Sequence, residues 1–234
     1  VALFYEDFTF EGKDGRLVFS PAFSPENHPA NTGVSMTDTA TADVAMAREL
    51  LTNLCQACKL LRMEKEGVAR WRKLLEKLPE YNVDNKKRLT EWLDPYLKDT
   101  YGHRHLMHIY PLFPGFEATP ERTPELYEAA RNALLAKGFP SQCNFTYPQM
   151  AASYTRMFDG NRAARALIDL VRNGLIRPSM VVPIHWGTYS PEDGRRQLPS
   201  WFEKPPELFE QALTDASLRD RLHLLEPGGS VSLP

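Results

Sequence analysis

Three of the chain's six histidines fall within one stretch, Tyr101 to Gly115, where His103, His105 and His108 keep company with Arg104, Tyr101 and Tyr110. Imidazole and guanidinium groups at this density suit two chemistries. They could grip the hydroxyls of a sugar, or a His-x-His pair could ligate a metal. A second candidate lies upstream in Ser20-Pro21-Ala22-Phe23-Ser24-Pro25-Glu26-Asn27-His28-Pro29, a proline-bounded loop that carries a carboxyl. Such a loop can hold Glu26 apart from bulk water, the condition that keeps a carboxylic acid protonated at neutral pH and ready to act as a general acid. Taken alone, Glu26 is as readily a solvated surface carboxylate, and the residues themselves leave both readings open.

The elements that must position these groups are mostly helical. Residues 8–10 and 16–19 are apolar-alternating runs around Asp14-Gly15, which predicts a hairpin, and prolines keep the stretch from 20 to 33 out of helix. From about Thr41 the apolar residues Val44, Ala47, Leu51, Leu54, Cys58 and Leu61 recur at three and four, the mark of a helix with one buried face. A second amphipathic helix is predicted over 68–78, ended by Pro79. Thr123-Pro124 predicts a capped helix start, and Gly138 ends that helix after Lys137. Two more helices are predicted over 147–158 and 161–173, separated by Asp159-Gly160. Beyond Pro178 the grammar becomes β-α-β-β, with strands at 180–186, 221–226 and 230–233 and a helix over 205–216. The organisation expected is a helical portion over 1–178 and a small α/β tail over 179–234.

Composition excludes several classes. With 42% apolar residues over 234 positions the chain can bury a core, and a net charge of −2 provides no basic field for nucleic acid or anionic lipid. No apolar run is long enough to span a membrane, and the N-terminus lacks a signal peptide's basic and apolar regions. Cys55, Cys58 and Cys143 are expected as buried thiols, since an odd count argues against a disulfide framework.

Taken in order, Ser20-Pro21-Ala22-Phe23-Ser24-Pro25-Glu26, Glu91-Trp92, Gly102-His103-Arg104-His105 with His108-Ile109-Tyr110, Pro114-Gly115, the Thr-Pro-Glu repeats at 119–125 and Asp159-Gly160 resemble glycoside hydrolase family 95. The resemblance runs over about residues 5–175 and is to the C-terminal half of that family's catalytic domain. It implies a mostly α fold, part of an (α/α)6 toroid of helical pairs with an N-terminal hairpin and loop. It also implies inverting hydrolysis of a terminal α-L-fucosyl or related linkage, with no cofactor and a carbohydrate as partner. Carried over by position, Glu26 is the acid and Asp159 a residue that helps activate water. His103, Arg104, His105 and His108 line the sugar pocket, with Trp92 and Asn27 beside them. The family's water-positioning asparagines lie upstream of the aligned region, so a missing N-terminal half or another chain is expected as a partner. A periplasmic or secreted location would follow from the same resemblance.

Residues 179–234 resemble instead the last segment of metallo-β-lactamase-fold hydrolases, through Val181-Val182-Pro183-Ile184-His185-Trp186. An alternative for the whole chain is therefore a zinc hydrolase using His103, His105, His108 and His185. Against it, Met107 stands where a metal-binding Asp is needed, and Met is neither a base nor a hard ligand. A second alternative is a non-catalytic helical domain in which these histidines and aromatics are structural.

Overall fold

A computed structural model describes residues 2–138, 145–173 and, apart from 212, 216 and 218, 210–221. The predicted strands at 180–186 and 230–233, the boundary near 178, His185 and Cys143 lie outside the described residues. The chain divides into two compact units, Val1–Pro140 with Arg156–Phe158, and Ser141–Thr155 with Asp159–Pro234.

The first unit opens with a short helix, α1 (Ala2–Asp7), which the alternating pattern did not predict. The hairpin follows as expected, β1 (Thr9–Glu11) antiparallel to β2 (Leu17–Phe19), with Thr9 opposite Phe19. Two further short strands, β3 (Ala22–Phe23) and β4 (Met36–Thr37), pair across the base of the proline-rich loop and so bring its two ends together. The helix α2 (Thr41–Leu61) buries Val44, Ala47, Leu51, Cys55 and Cys58, and α3 (Lys65–Lys77) packs against it through Trp71. Both cysteines are free and buried, as expected. Leu61 was expected on the same buried face but is 70% exposed, because the helix ends there in a left-handed Arg62. The chain turns away before that face meets a neighbour.

Between α3 and the next helix runs an irregular strap over 89–93, which belongs to neither two-stranded sheet and makes two isolated antiparallel bridges, Leu89 with Val83 and Trp92 with Ala40. Its backbone donors are met one by one by remote groups: Leu89 N–H by the carbonyl of Ala129 (3.0 Å), Thr90 N–H by Asn82, and Leu93 N–H by Thr39. In return the strap's carbonyls accept from the first residue of α2, Glu91 O from Thr41 N–H (3.0 Å) and Thr90 O from Thr41 Oγ1 (2.7 Å). A helix N-terminus leaves such donors without intrahelical partners, so the strap caps α2. Trp92, 1% exposed, fills the space behind it with Leu17, Phe19, Val44 and Leu78.

The histidine segment contains one 3-10 turn (Met107–Ile109) and closes at Gly115. A Cβ there would stand 2.6 Å from the Tyr110 carbonyl oxygen, so the turn requires glycine. Next comes α4 (Pro124–Lys137), with Pro at its first position and Gly138 (φ 61) just past its end, as predicted. Thr123 precedes it, but its hydroxyl hydrogen-bonds Glu117 and Thr119 rather than capping the helix. On the buried face of α4, Ala130, Ala133 and Leu134 are followed by Lys137.

The second unit contains α5 (Thr146–Arg156) up to Thr155, and α6 (Gly160–Asn173). The helix expected over 205–216 is present in its described part, residues 210–215 without 212, while Arg219–Arg221 forms a 3-10 turn. Among the described residues the fold is mostly α, and no helix is long and apolar enough to cross a membrane.

Candidate active site

The loop carrying Glu26 lies alongside the segment from 91 to 105 and is laced to it. Ala30 N–H bonds the Lys98 carbonyl (2.8 Å), Asn31 bonds the backbone of Tyr96 and Lys98 (both 2.9 Å), and Thr100 Oγ1 donates to the His28 carbonyl (3.0 Å). Deeper down, Glu91 takes a hydrogen bond on each carboxylate oxygen, from Ser24 Oγ (2.7 Å) and Asn27 Nδ2 (2.9 Å). The loop is therefore held on a buried acceptor in addition to its backbone bonds.

At the surface, the Glu26 carboxylate pairs with Arg104, and His105 Nδ1 lies 2.8 Å from the Pro25 carbonyl and 3.0 Å from Glu26 N–H. The neutral ring serves one of these at a time: with a proton on Nδ1 it donates to Pro25, without one it accepts from Glu26. The structure thus brings Glu26, Arg104 and His105 together, as expected. It departs from expectation in exposure. The Glu26 side chain is 59% exposed, not held apart from water by its loop.

His103 stands beside this group, its ring edge-on to His105 at 5.2 Å, its Nδ1 accepting from His105 N–H. Burial, then the neighbouring His105 and Lys137 charges, push its pKa down to about 4. It is a neutral imidazole at neutral pH. Asn27, Trp92 and His108 were expected to touch a sugar, yet each is about 1% exposed. Asn27 has turned inward onto Glu91, while Trp92 is core. His108 lies 3.7 Å from the Glu91 carboxylate, and burial drives its pKa well below the usual imidazole range. These three support the site from beneath.

The floor contains charged groups to which the sequence reading gave no role, Glu91 having been named only as part of the Glu91-Trp92 motif. Glu91 is 1% exposed, and burial raises its pKa while Lys137 and the Ser24 bond pull it back. Asp99 accepts the backbone N–H of Glu91 through both oxygens (3.0 and 3.1 Å) and is also raised by burial. Lys137, buried and lowered by desolvation, donates to the carbonyls of His105 (2.8 Å) and His103 (3.3 Å). The available signal was Lys137 sitting three and four residues beyond Leu134 and Ala133, on the apolar face of α4.

Asp159 belongs to the second unit. Its Oδ1 accepts the N–H of Arg162 (3.0 Å) in the first turn of α6, and its Oδ2 pairs with the Arg162 guanidinium. This is the bonding of a helix cap. As for the zinc alternative, no three His, Cys, Asp or Glu side chains among the described residues form a group that could hold a metal. His103, His105 and His108 do not converge: two flank Arg104 near the surface and the third is sealed against Glu91.

A helical frame that presents a carboxylate on a fixed loop, beside an arginine and a histidine, fits a mostly α catalytic domain. Residues 1–192 match the glycosyl hydrolase family 95 catalytic domain, and the chain belongs to that family. A curated relative, alpha-L-fucosidase 2 of Arabidopsis thaliana, is 27% identical over 175 residues, covering 72% of this chain. The same match covers 21% of the relative, so the chain spans about a fifth of that protein's length. The family match runs past the expected boundary near 178 and takes in His185. The metallo-β-lactamase resemblance of residues 179–234 gains no support.

Proposed function

We propose that the chain carries the acid side of an inverting glycosidase site for a terminal α-L-fucosyl or related sugar, with Glu26 as the proton donor. The observation that carries this reading is the Glu26 carboxyl at the surface of a loop fixed from beneath, with Arg104 and His105 against it. A donor to a glycosidic oxygen must reach the substrate, so exposure in the free protein suits the role. The arriving sugar then supplies the desolvation, displacing water from Glu26 while Arg104 and His105 hydrogen-bond its hydroxyls. In an inverting reaction a water attacks from the opposite face of the ring. Both oxygens of Asp159 are engaged with α6, so this reading does not give it the water. The water-positioning groups are proposed to come from the part of the family's catalytic domain that this chain does not span.

The test is release of free fucose from a 1,2-linked fucoside by the chain combined with that remaining part. Wild type should release it, and Glu26→Gln should lower the rate by about 100-fold or more, the contribution of general acid catalysis. An undiminished rate in Glu26→Gln would remove the assignment. Stoichiometric zinc in the purified chain, with hydrolysis abolished by chelation, would favour a metal hydrolase instead.

A further inference from the structure

Two buried charges, Glu91 and Lys137, each make two hydrogen bonds to the site, from two sides. The oxygens of Glu91 take the side chains of Ser24 and Asn27, which bracket Glu26 in the loop. The ammonium of Lys137 takes the carbonyls of His103 and His105, which bracket Arg104 in the histidine segment. Each buried group thus holds residues on both sides of one member of the surface pair, Glu91 through side chains and Lys137 through backbone carbonyls, and that pair, Glu26 with Arg104, closes across the top. The two buried groups also act on one another electrostatically, as the opposite charge of each offsets part of the other's desolvation.

Burying charges this completely is costly, and apolar residues of similar volume often serve the fold as well or better. A charge does here what an apolar side chain cannot. It accepts two hydrogen bonds from one irregular segment, or donates two to another, and thereby fixes the relative register of segments that have no ladder of their own. We propose that Glu91 and Lys137 are positioning residues that hold the Glu26 loop and the His103–His105 segment in register, so that Glu26, Arg104 and His105 meet. This rests on the reading of Glu26 as the acid for its functional meaning, but the register itself is independent of that reading.

The experiment is amide hydrogen exchange on the full chain, with the His105 Nδ1 nucleus followed by NMR as a local signature. In Glu91→Gln, exchange of the amides over 24–28 should rise by about tenfold or more, because an amide nitrogen now faces a donor. Lys137→Met should produce the same rise over 103–106, and either variant should move the His105 Nδ1 signal away from its hydrogen-bonded position. The double variant Glu91→Gln/Asn27→Asp reverses donor and acceptor and should restore both readouts. Ser24→Ala keeps the buried carboxylate and one of its partners, so it remains folded, and it should loosen 24–28 alone. Unchanged exchange and an unchanged His105 signal in these variants would overturn the proposal. So would a rise spread equally over α2, which would make the two charges general stabilisers. If the register is lost in these variants while Glu26→Gln leaves hydrolysis intact, the positioning stands and the acid assignment falls.

Discussion

Glu26 and Glu91 are two carboxylates joined by Ser24 and Asn27, and their surroundings are opposite. Glu26 stands in water beside a half-exposed guanidinium, whereas Glu91 is sealed beneath it with both oxygens occupied. An exposed ion pair contributes little to stability because water already solvates both ions, so the fold does not depend on Glu26, which suits the proton-donor role proposed for it. A buried carboxylate with its bonds in place is a structural commitment, since breaking one partnership leaves a charge without compensation. On the proposed reading, burial alone divides reactivity and architecture between two identical side chains.

The comparison can be broken hardest from the buried side. Trp92→Ala, which empties the space behind the strap, should cost about 3–5 kcal/mol of folding stability, read from urea unfolding. Lys137→Met should cost about 1–3 kcal/mol by leaving the carbonyls of His103 and His105 without their donor. On the exposed side, Arg104→Ala should change stability by no more than about 1 kcal/mol in the same assay. A loss equal to that of Trp92→Ala would mean that the surface pair is as structural as the floor. The smallest effect sharpens the boundary between the two regions. The pKa of His103 is depressed to about 4 from 6.5, so the stability from keeping it neutral is complete above pH 6.5 and drains as pH falls through 4. His108 works in the same direction, while Asp43, raised by burial to about 6, opposes them: its contribution is present at low pH and is lost as pH rises through 6. The NMR titration midpoint of the His103 ring should lie near 4, and a midpoint of 6.5 would place that ring in open water.

Much of the frame was legible because local patterns determine it. The hairpin around Asp14-Gly15, the period of α2 and the Pro124-to-Gly138 punctuation of α4 all rest on neighbours within one or two turns. The cluster of Glu26, Arg104 and His105 was legible only through the resemblance, since 78 residues separate Glu26 from Arg104. What failed has a common physical cause. Asn27, His108 and Trp92 have the chemistry of contact residues, and nothing in their local sequence reveals that the chain folds over them. Glu91, named only within the Glu91-Trp92 motif, and Lys137, named only as the last residue of a helix, received no role for the same reason. Whether a polar side chain faces out or in depends on partners more than 30 residues away, as the Lys137 bond to His105 illustrates.

The strap over 89–93 has a consequence in time. Its donors reach Ala129 on α4 and Thr39 ahead of α2, and its acceptors receive Thr41, so it can be completed only after chain segments on both sides of it have formed. Contacts of such long sequence separation carry the loop-closure cost that slows folding. Helices α2 and α4 can nucleate from their own sequences, but the strap's bonds to them, that of the Glu91 carbonyl included, can be completed only when they are in place. The residue that fixes the proposed acid's address is therefore among the last to acquire its own.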